Sequence, residues 1–505
     1  FKQKTAYEIG VRLVGSEMCI RDRHEKAIEA YKKVTVMDIV DEDFRSIVQL
    51  RVSETRFKQK EFDEAAKEYR QYVNLFPNSP DAAMAQYYAG WSEFNLQRYD
   101  EAIASLSLVL ENYPEDRYAS DAQFRIASSF YEKGQYEKAV EEAEFTLDKY
   151  SGSFVIGEAT YLKAQAYDRM GRSEDAIGMY REVRDLYEHM WSLLQGSLRE
   201  GKNVDFDRYM QLFETSSLRV AEIYRGQEKY KEAYEELIVA QETAEERFSK
   251  AKVQMRMGDN FLAWKRFDDA WAAYNQVIEL YGDTPFPPNA QYQKGETRYF
   301  QGDYVRARED YRLVPANYPD SETALRAASL YSAGQSAEKL EDFDSAMELY
   351  DEVVDNFPRS TEAPLCLLRI GQINSEQKLV DKALAAYRRV ATDYGETQFA
   401  ADANYWLGIL YKDQGQMEEA VASFSKVGRE AREIYVHSLV QAANIHIGAG
   451  RSEQARGVLT QMLVDVEGDR DLEATAHYQI AKLDLNNKNY ADAVRGYTRV
   501  IENYP

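Results

Sequence analysis

One phrase recurs along this chain: an aromatic residue, two mostly polar residues, an alanine, and usually an aromatic or leucine four places further on. It reads FDEAAKEY, YDEAIASL, YEKAVEEA, YKEAYEEL, FDDAWAAY, YVRAREDY, FDSAMELY and YADAVRGY. The alanine falls at Ala27, Ala65, Ala102, Ala139, Ala176, Ala233, Ala270, Ala307, Ala346, Ala383, Ala420, Ala455 and Ala493. Most steps are 37 residues, the others run from 35 to 39, and a single step, from Ala176 to Ala233, is 57. Such regularity excludes a string of unrelated compact domains. A unit of this size cannot bury its own apolar face, so copies must stack and share one continuous core.

The anatomy of the unit follows from residues at fixed offsets. Twelve places before the alanine stands a small residue: Gly90, Gly258, Gly295, Gly334, Gly371 and Gly408, or Ala127, Ala164, Ala221, Ala443 and Ala481. A missing side chain there lets two helices approach closely. Five places before the alanine a glycine is frequent, at Gly134, Gly171, Gly302, Gly415 and Gly450, as suits a left-handed helix end. Twelve places after it the helix stops, often at proline: Pro77, Pro114, Pro319, Pro358 and Pro505. The aromatic just before, as at Phe76, Tyr113, Tyr318, Phe357 and Tyr504, is expected to staple that end. Each unit therefore reads helix A, tight turn, helix B, short loop. Only 11 prolines in 505 residues, among many helix formers, make the chain all-α.

This order of small residue, turn glycine, tyrosine, alanine, tyrosine and terminal proline resembles the tetratricopeptide repeat, over residues 24–505. Two departures stand out. The period exceeds that family's minimal 34, and its early tryptophan is replaced by a Tyr or Phe one place later. With the phrase NYP followed by Asp-Ala, these features look like the envelope-associated subgroup of Gram-negative bacteria. That subgroup includes the outer-membrane-assembly lipoprotein and the Tol-Pal-associated coordinator. The resemblance implies a right-handed superhelical solenoid of helical hairpins, about 12.5 repeats long, with helix A lining an inner groove. Such a groove suits an extended peptide or a helix. In the parent family the fifth residue of helix A faces that groove.

That position is usually aromatic here: Tyr87, Phe124, Tyr161, Tyr292, Tyr331, Tyr405 and Tyr478. Trp91, Phe94, Tyr131 and Tyr299 lie nearby, with the acids Asp121, Glu158, Asp168, Glu296, Glu338 and Asp402. An aromatic, acidic groove would favour a partner with apolar anchors and basic residues. Two alternatives stay open. The tyrosines can replace the missing tryptophan as packing between helices, and the acids can form a solvated face. The Lys/Asn clamp of relatives that bind chaperone tails is not visible.

Residues 1–23, FKQKTAYEIGVRLVGSEMCIRDR, resemble translated sequencing-library oligonucleotides and are expected to lie outside the fold. The last residues, IENYP, stop at a repeat boundary, so the chain is expected to be an internal fragment. The 57-residue step is expected to hold an extended helical hairpin near 184–220. Val183, Leu186, Tyr187, Met190, Leu194 and Leu198 form one apolar stripe, and Phe206, Met210, Phe213 and Val220 form the return. Met190, Trp191 and Leu193 are candidates there for a docking or dimer contact.

The remaining composition narrows function by exclusion. The formal charge of −23 argues against nucleic acid, which needs a basic face, and against an anionic membrane surface. No apolar run is long enough to span a bilayer. Five histidines are scattered, and residues 24–505 contain no HExxH, CxxC or phosphate-loop pattern. Cys366 sits among Leu365, Leu367 and Leu368 as a core thiol. No catalytic residue, metal site or cofactor is therefore expected. The expected function is a non-catalytic scaffold that binds partner proteins, in a periplasmic or envelope assembly or transport complex. The alternative is a cytoplasmic adaptor or regulatory module of a larger protein.

Overall fold

The computed structural model describes residues 42–198 and 206–504, with side chains at 45–186 and 211–504. The expectation for residues 1–23, and the first repeat around Ala27, lie outside the described residues. The described residues form 24 helices and no strand. They fall into two compact units, one ending at Trp264 and the other starting at Lys265.

In the first unit helices of the A type are Glu42–Lys58, Ala82–Asn95, Tyr118–Glu132, Ile156–Arg169, Phe206–Gly226 and Arg247–Ala263. Those of the B type are Phe62–Leu75, Tyr99–Asn112, Tyr136–Lys149, Ser173–Leu198 and Tyr230–Thr243. The second unit continues the alternation from Phe267–Leu280 to Tyr490–Asn503. Within each unit every helix packs on the next one in sequence, and successive A helices also touch each other. B helices contact chiefly their own A helix and the following one. Each unit is thus a solenoid of hairpins whose A layer is the closer-packed, inner side. The long step holds helices of 26 and 21 residues, Ser173–Leu198 and Phe206–Gly226, against 14 to 17 for most others. At the array end of that pair Val183 and Phe213 are buried. The side chains of Met190, Trp191 and Leu193 lie outside the described residues.

The turn between A and B is the most uniform feature. The residue five before each repeat alanine has a positive φ at all twelve described turns. Five are glycines, Gly134, Gly171, Gly302, Gly415 and Gly450, and seven are Lys60, Gln97, Glu228, Lys265, Glu341, Lys378 and Lys488. The amide of Arg98 donates to Glu93 O at 3.0 Å and that of Gln97 to Phe94 O at 2.9 Å, a Schellman ending. Gln135, Gly134, Asp303 and Gly302 repeat the same bonds. The aromatics at the end of helix B do more than cap it. Tyr113 Oη donates to Pro77 O at 3.1 Å and Tyr394 Oη to Pro358 O at 2.8 Å, tying each repeat to the one before.

The small residue of helix A fixes the spacing within a hairpin. A Cβ on Gly334 would lie 2.4 Å from Tyr350 Cε1, and one on Gly371 would lie 2.5 Å from Tyr387 Cε1. Gly295 meets Tyr311 and Gly408 meets Phe424 in the same way. These rings come from helix B, four residues after the repeat alanine, and all four are essentially inaccessible to solvent. The ring occupies the space that a side chain on helix A would need.

Candidate functional site

The inner face of each unit is built from the A helices, so the groove is defined by which of their side chains are already engaged. The recurrent aromatic of helix A, three places before its small residue, rests on the helix B aromatic of its own hairpin. Ring centroids lie 5.5 Å apart for Tyr161–Tyr180, 5.4 Å for Tyr292–Tyr311 and 5.8 Å for Tyr331–Tyr350. The same holds at 6.0 Å for Tyr405–Phe424 and 5.7 Å for Tyr478–Tyr497. Among these five Tyr478 alone is exposed, and the rest are half-buried. Phe124 packs against the small core of Ala127, Ala143 and Leu162. Tyr87 is the most buried of the set, at 4 % exposure, against Tyr118 at 5.3 Å and Tyr88 at 5.3 Å. Burial pushes its hydroxyl pKa up to about 12, against the opposing pull of Arg125. Packing and groove roles are therefore not exclusive: these rings pack within the fold, and all but Tyr87 keep part of their surface exposed.

A second aromatic set clasps the turn. Phe94 meets Tyr99 at 5.5 Å, Tyr131 meets Tyr136 at 5.4 Å and Tyr299 meets Tyr304 at 5.2 Å, all edge-on. Trp91 belongs to a third group that sequence reasoning missed. It stacks on Tyr88 at 5.4 Å and tilts against Phe57 at 5.2 Å, and Tyr88 stacks in turn on Tyr69 at 5.6 Å. Trp91, Phe94, Phe124 and Tyr131 remain half-buried on two consecutive A helices. They make an aromatic strip on the inner face of the first unit.

The acids expected to line the groove are largely engaged within the chain. Asp168 accepts from Arg219 at 2.5 Å. Glu296 accepts from Tyr311 Oη at 2.5 Å. Glu338 accepts from Tyr350 Oη at 2.5 Å and from Arg369 Nε at 3.0 Å. Burial, together with these carboxylates, drives the Tyr311 and Tyr350 pKa values far above the ordinary phenol value. Asp402 is raised by burial. Asp168, Glu296 and Glu338 are spent on the protein's own donors and so leave less for a basic partner.

Arginine is the residue type missed in the groove. It recurs two places before the small residue of helix A, at Arg51, Arg125, Arg219, Arg256 and Arg369. That recurrence is visible in the repeat alignment and was the available signal. Arg125 stands over three rings, with its guanidinium carbon 4.9 Å from the Trp91 centroid, 5.2 Å from Phe94 and 5.7 Å from Phe124.

Elsewhere the chemistry is inert. Cys366 is fully buried, and burial raises its thiol pKa far above the range in which thiolates act as nucleophiles. No cluster of three metal-ligating side chains occurs among the described residues, and none of their helices is long and apolar enough to cross a membrane. The second unit carries an open cleft of about 630 Å³ between helices Phe343–Asn356 and Val380–Asp393, floored by Leu367, Ile370 and Asn374.

Comparison with known proteins agrees with the repeat architecture. Tetratricopeptide-repeat models match residues 53–117 and 124–190, and a further one matches 475–505. A tetratricopeptide repeat-like domain model matches 288–442. No curated protein sequence matches the chain. Among solved structures, Naa15/Naa10 bound to HypK-THB is 14 % identical, with a TM-score of 0.35, over 96 % of this chain and 68 % of that one. The C-terminal part of a TPR repeat-containing protein from Cytophaga hutchinsonii is 15 % identical, with a TM-score of 0.40, over 56 % of this chain and 99 % of that one. With family matches covering more than half of its length, and hairpins of the matching kind in both units, the chain belongs to the tetratricopeptide-repeat family.

Proposed function

We propose that this protein is a non-catalytic scaffold that holds an extended or helical segment of a partner protein against its A helices. We further propose that it does so in a bacterial cell-envelope assembly or transport complex, in the periplasm. One observation carries the binding role: Trp91, Phe94, Phe124 and Tyr131 form a strip on adjacent A helices, each ring packed on one side and half open on the other. Rigid aromatic side chains of this kind are the usual anchors of binding energy, because little rotamer freedom remains to be lost. The 37-residue period and the NYP phrase followed by Asp-Ala support the envelope setting.

Replacing Trp91 and Phe94 together by alanine tests the binding role. Partner capture should fall while helicity by circular dichroism is retained. A double variant that melts early, with capture lost only in step with folding, would reduce the strip to packing. The setting is tested by recovering the coding sequence upstream of His24: a secretory signal is expected, and a cytoplasmic catalytic or DNA-binding domain would refute it.

A further inference from the structure

The five arginines that stand two places before the small residue of helix A form an internal comparison. Four of them have carboxylate partners of their own. Arg51 pairs with Glu54 at 2.7 Å. Arg219 pairs with Glu222 at 2.7 Å and Asp168 at 2.5 Å. Arg256 pairs with Asp259 at 3.1 Å and Glu222 at 3.6 Å. Arg369 pairs with Glu338, and its position three residues on is Gln372, which also accepts from it. The counter-groups come from three places. One is the residue three further along the same helix. Another lies 31 residues earlier, on the preceding helix A, as Glu338 does for Arg369. Asp168 holds that place for Arg219, displaced to 51 residues by the long hairpin. The third lies 34 residues earlier, where Glu222 stands for Arg256 and Trp91 for Arg125.

At Arg125 all three places lack a carboxylate. Three residues on stands Ser128, whose hydroxyl donates to Phe124 O at 2.9 Å. Thirty-one residues earlier stands Phe94, whose ring lies beneath the guanidinium. Arg125 is the one of the five that makes no ion pair among the described residues, and its buried Nε has no hydrogen-bond partner there. The neighbouring ionisable groups are the hydroxyl of Tyr87 and the carboxylate of Asp121, one turn earlier on the same helix, which acts on Tyr87. Two more guanidiniums nearby rest on aromatic residues. Arg117 stacks on Tyr118 at 4.8 Å, and Arg169 donates to Tyr131 Oη at 3.3 Å. In a chain of net charge −23, Arg125 therefore sets a cation on the aromatic strip itself.

We infer that Arg125, on the Trp91–Phe94–Phe124 platform, receives a side-chain carboxylate of the bound segment, so that the groove selects acidic segments with an adjacent aromatic or apolar residue. The inference rests on the groove reading above and adds the charge of the ligand. Stacking on a ring uses the face of a guanidinium and leaves its in-plane N–H edge for a bidentate carboxylate. A side-chain source fits better than a chain terminus. A terminal carboxylate beside its own backbone needs several converging donors, and here a single guanidinium stands over the strip, without an ion pair and with the Tyr87 hydroxyl as its side-chain hydrogen-bond partner.

Three short peptides, acetylated and amidated at their ends, serve as probes. They share phenylalanine positions and carry glutamate, glutamine or lysine between them. A fourth is the glutamine peptide with a free C-terminal carboxylate. Binding is read by fluorescence anisotropy. The glutamate peptide should bind at least about tenfold more tightly than the lysine peptide, as one charge-assisted hydrogen-bonded contact implies. Arg125→Gln should abolish that preference, Arg125→Lys should keep its sign while weakening it, and Arg369→Gln should leave it unchanged. Equal binding of the glutamate and lysine peptides overturns the inference. So does a preference that survives Arg125→Gln in a variant of native helicity, binding of the free-carboxylate peptide alone, or no saturable binding of the glutamate peptide. If Trp91→Ala with Phe94→Ala abolishes binding of every peptide while Arg125→Gln changes nothing, the groove stands and the carboxylate role falls. If the aromatic pair can be removed with no effect on any peptide, the groove reading itself falls.

Discussion

Gly334→Ala is the substitution that most directly tests how the hairpins are spaced. In an ordinary helix interior this change stabilises, by roughly 0.5–1 kcal/mol, because alanine loses less backbone entropy than glycine on folding. Here the new Cβ would stand 2.4, 2.8 and 2.8 Å from three ring atoms of Tyr350, where carbon atoms ordinarily sit about 3.5–4.0 Å apart. The ring cannot step aside, since it is wholly buried and its hydroxyl is held by Glu338. Overpacking of this kind costs roughly 1–3 kcal/mol, so a net loss of about 1–2 kcal/mol is expected. Gly178 and Gly457 are helical glycines with no atom within 4 Å of an added Cβ, and the same change there should stabilise by roughly 0.5–1 kcal/mol. Long repeat arrays need not unfold in one step, so native-state hydrogen exchange is the suitable assay. Amides of helices Thr323–Lys339 and Phe343–Asn356 should lose protection by about 5–30-fold in Gly334→Ala. The fold already holds alanine opposite a buried tyrosine at Ala164 and Tyr180. Unchanged protection in Gly334→Ala would mean that the hairpin widens to that arrangement at no cost, and would refute the role assigned to the glycine.

Three further outcomes are expected. At the turns, Gln97→Gly and Lys378→Gly should each stabilise by about 0.5–1 kcal/mol, and Gly302→Ala should destabilise by about 1 kcal/mol, since all three positions hold a left-handed backbone; urea unfolding followed by circular dichroism measures the signs. Burial lowers the pKa of both His446 and His477, so the unfolded chain binds more protons there than the folded one. Their contribution is complete above the unfolded value of about 6.5 and is lost as the pH falls below it, so the melting temperature should drop between about pH 7.5 and 5.5, and less so in His446→Gln with His477→Gln. Deleting residues 188–207 restores the 37-residue step and spares the buried Val183 and Phe213, so the variant should remain helical and monodisperse by size-exclusion chromatography.

What the sequence determined on its own is everything repeated within a single copy. The position of each turn, the repeat alanine and the small residue are set by contacts inside one hairpin, so each copy spells them out again. Even so, the turn was read from its five glycines, and the left-handed conformation at Lys60, Gln97, Glu228, Lys265, Glu341, Lys378 and Lys488 emerged from the structure. There the tertiary spacing of A on B imposes a backbone that those residues would not choose. The groove was legible as a set of aromatic positions and misleading as a set of charges. Glu338 and Asp168 looked available because their partners, Arg369 and Arg219, lie 31 and 51 residues away on the next helix A. Arg125 and Arg369 occupy the same place in their repeats, yet one meets Phe94 and the other Glu338. That difference belongs to neither repeat alone. It arises where two copies touch, and stacking decides there which charges are neutralised within the chain and which face the groove.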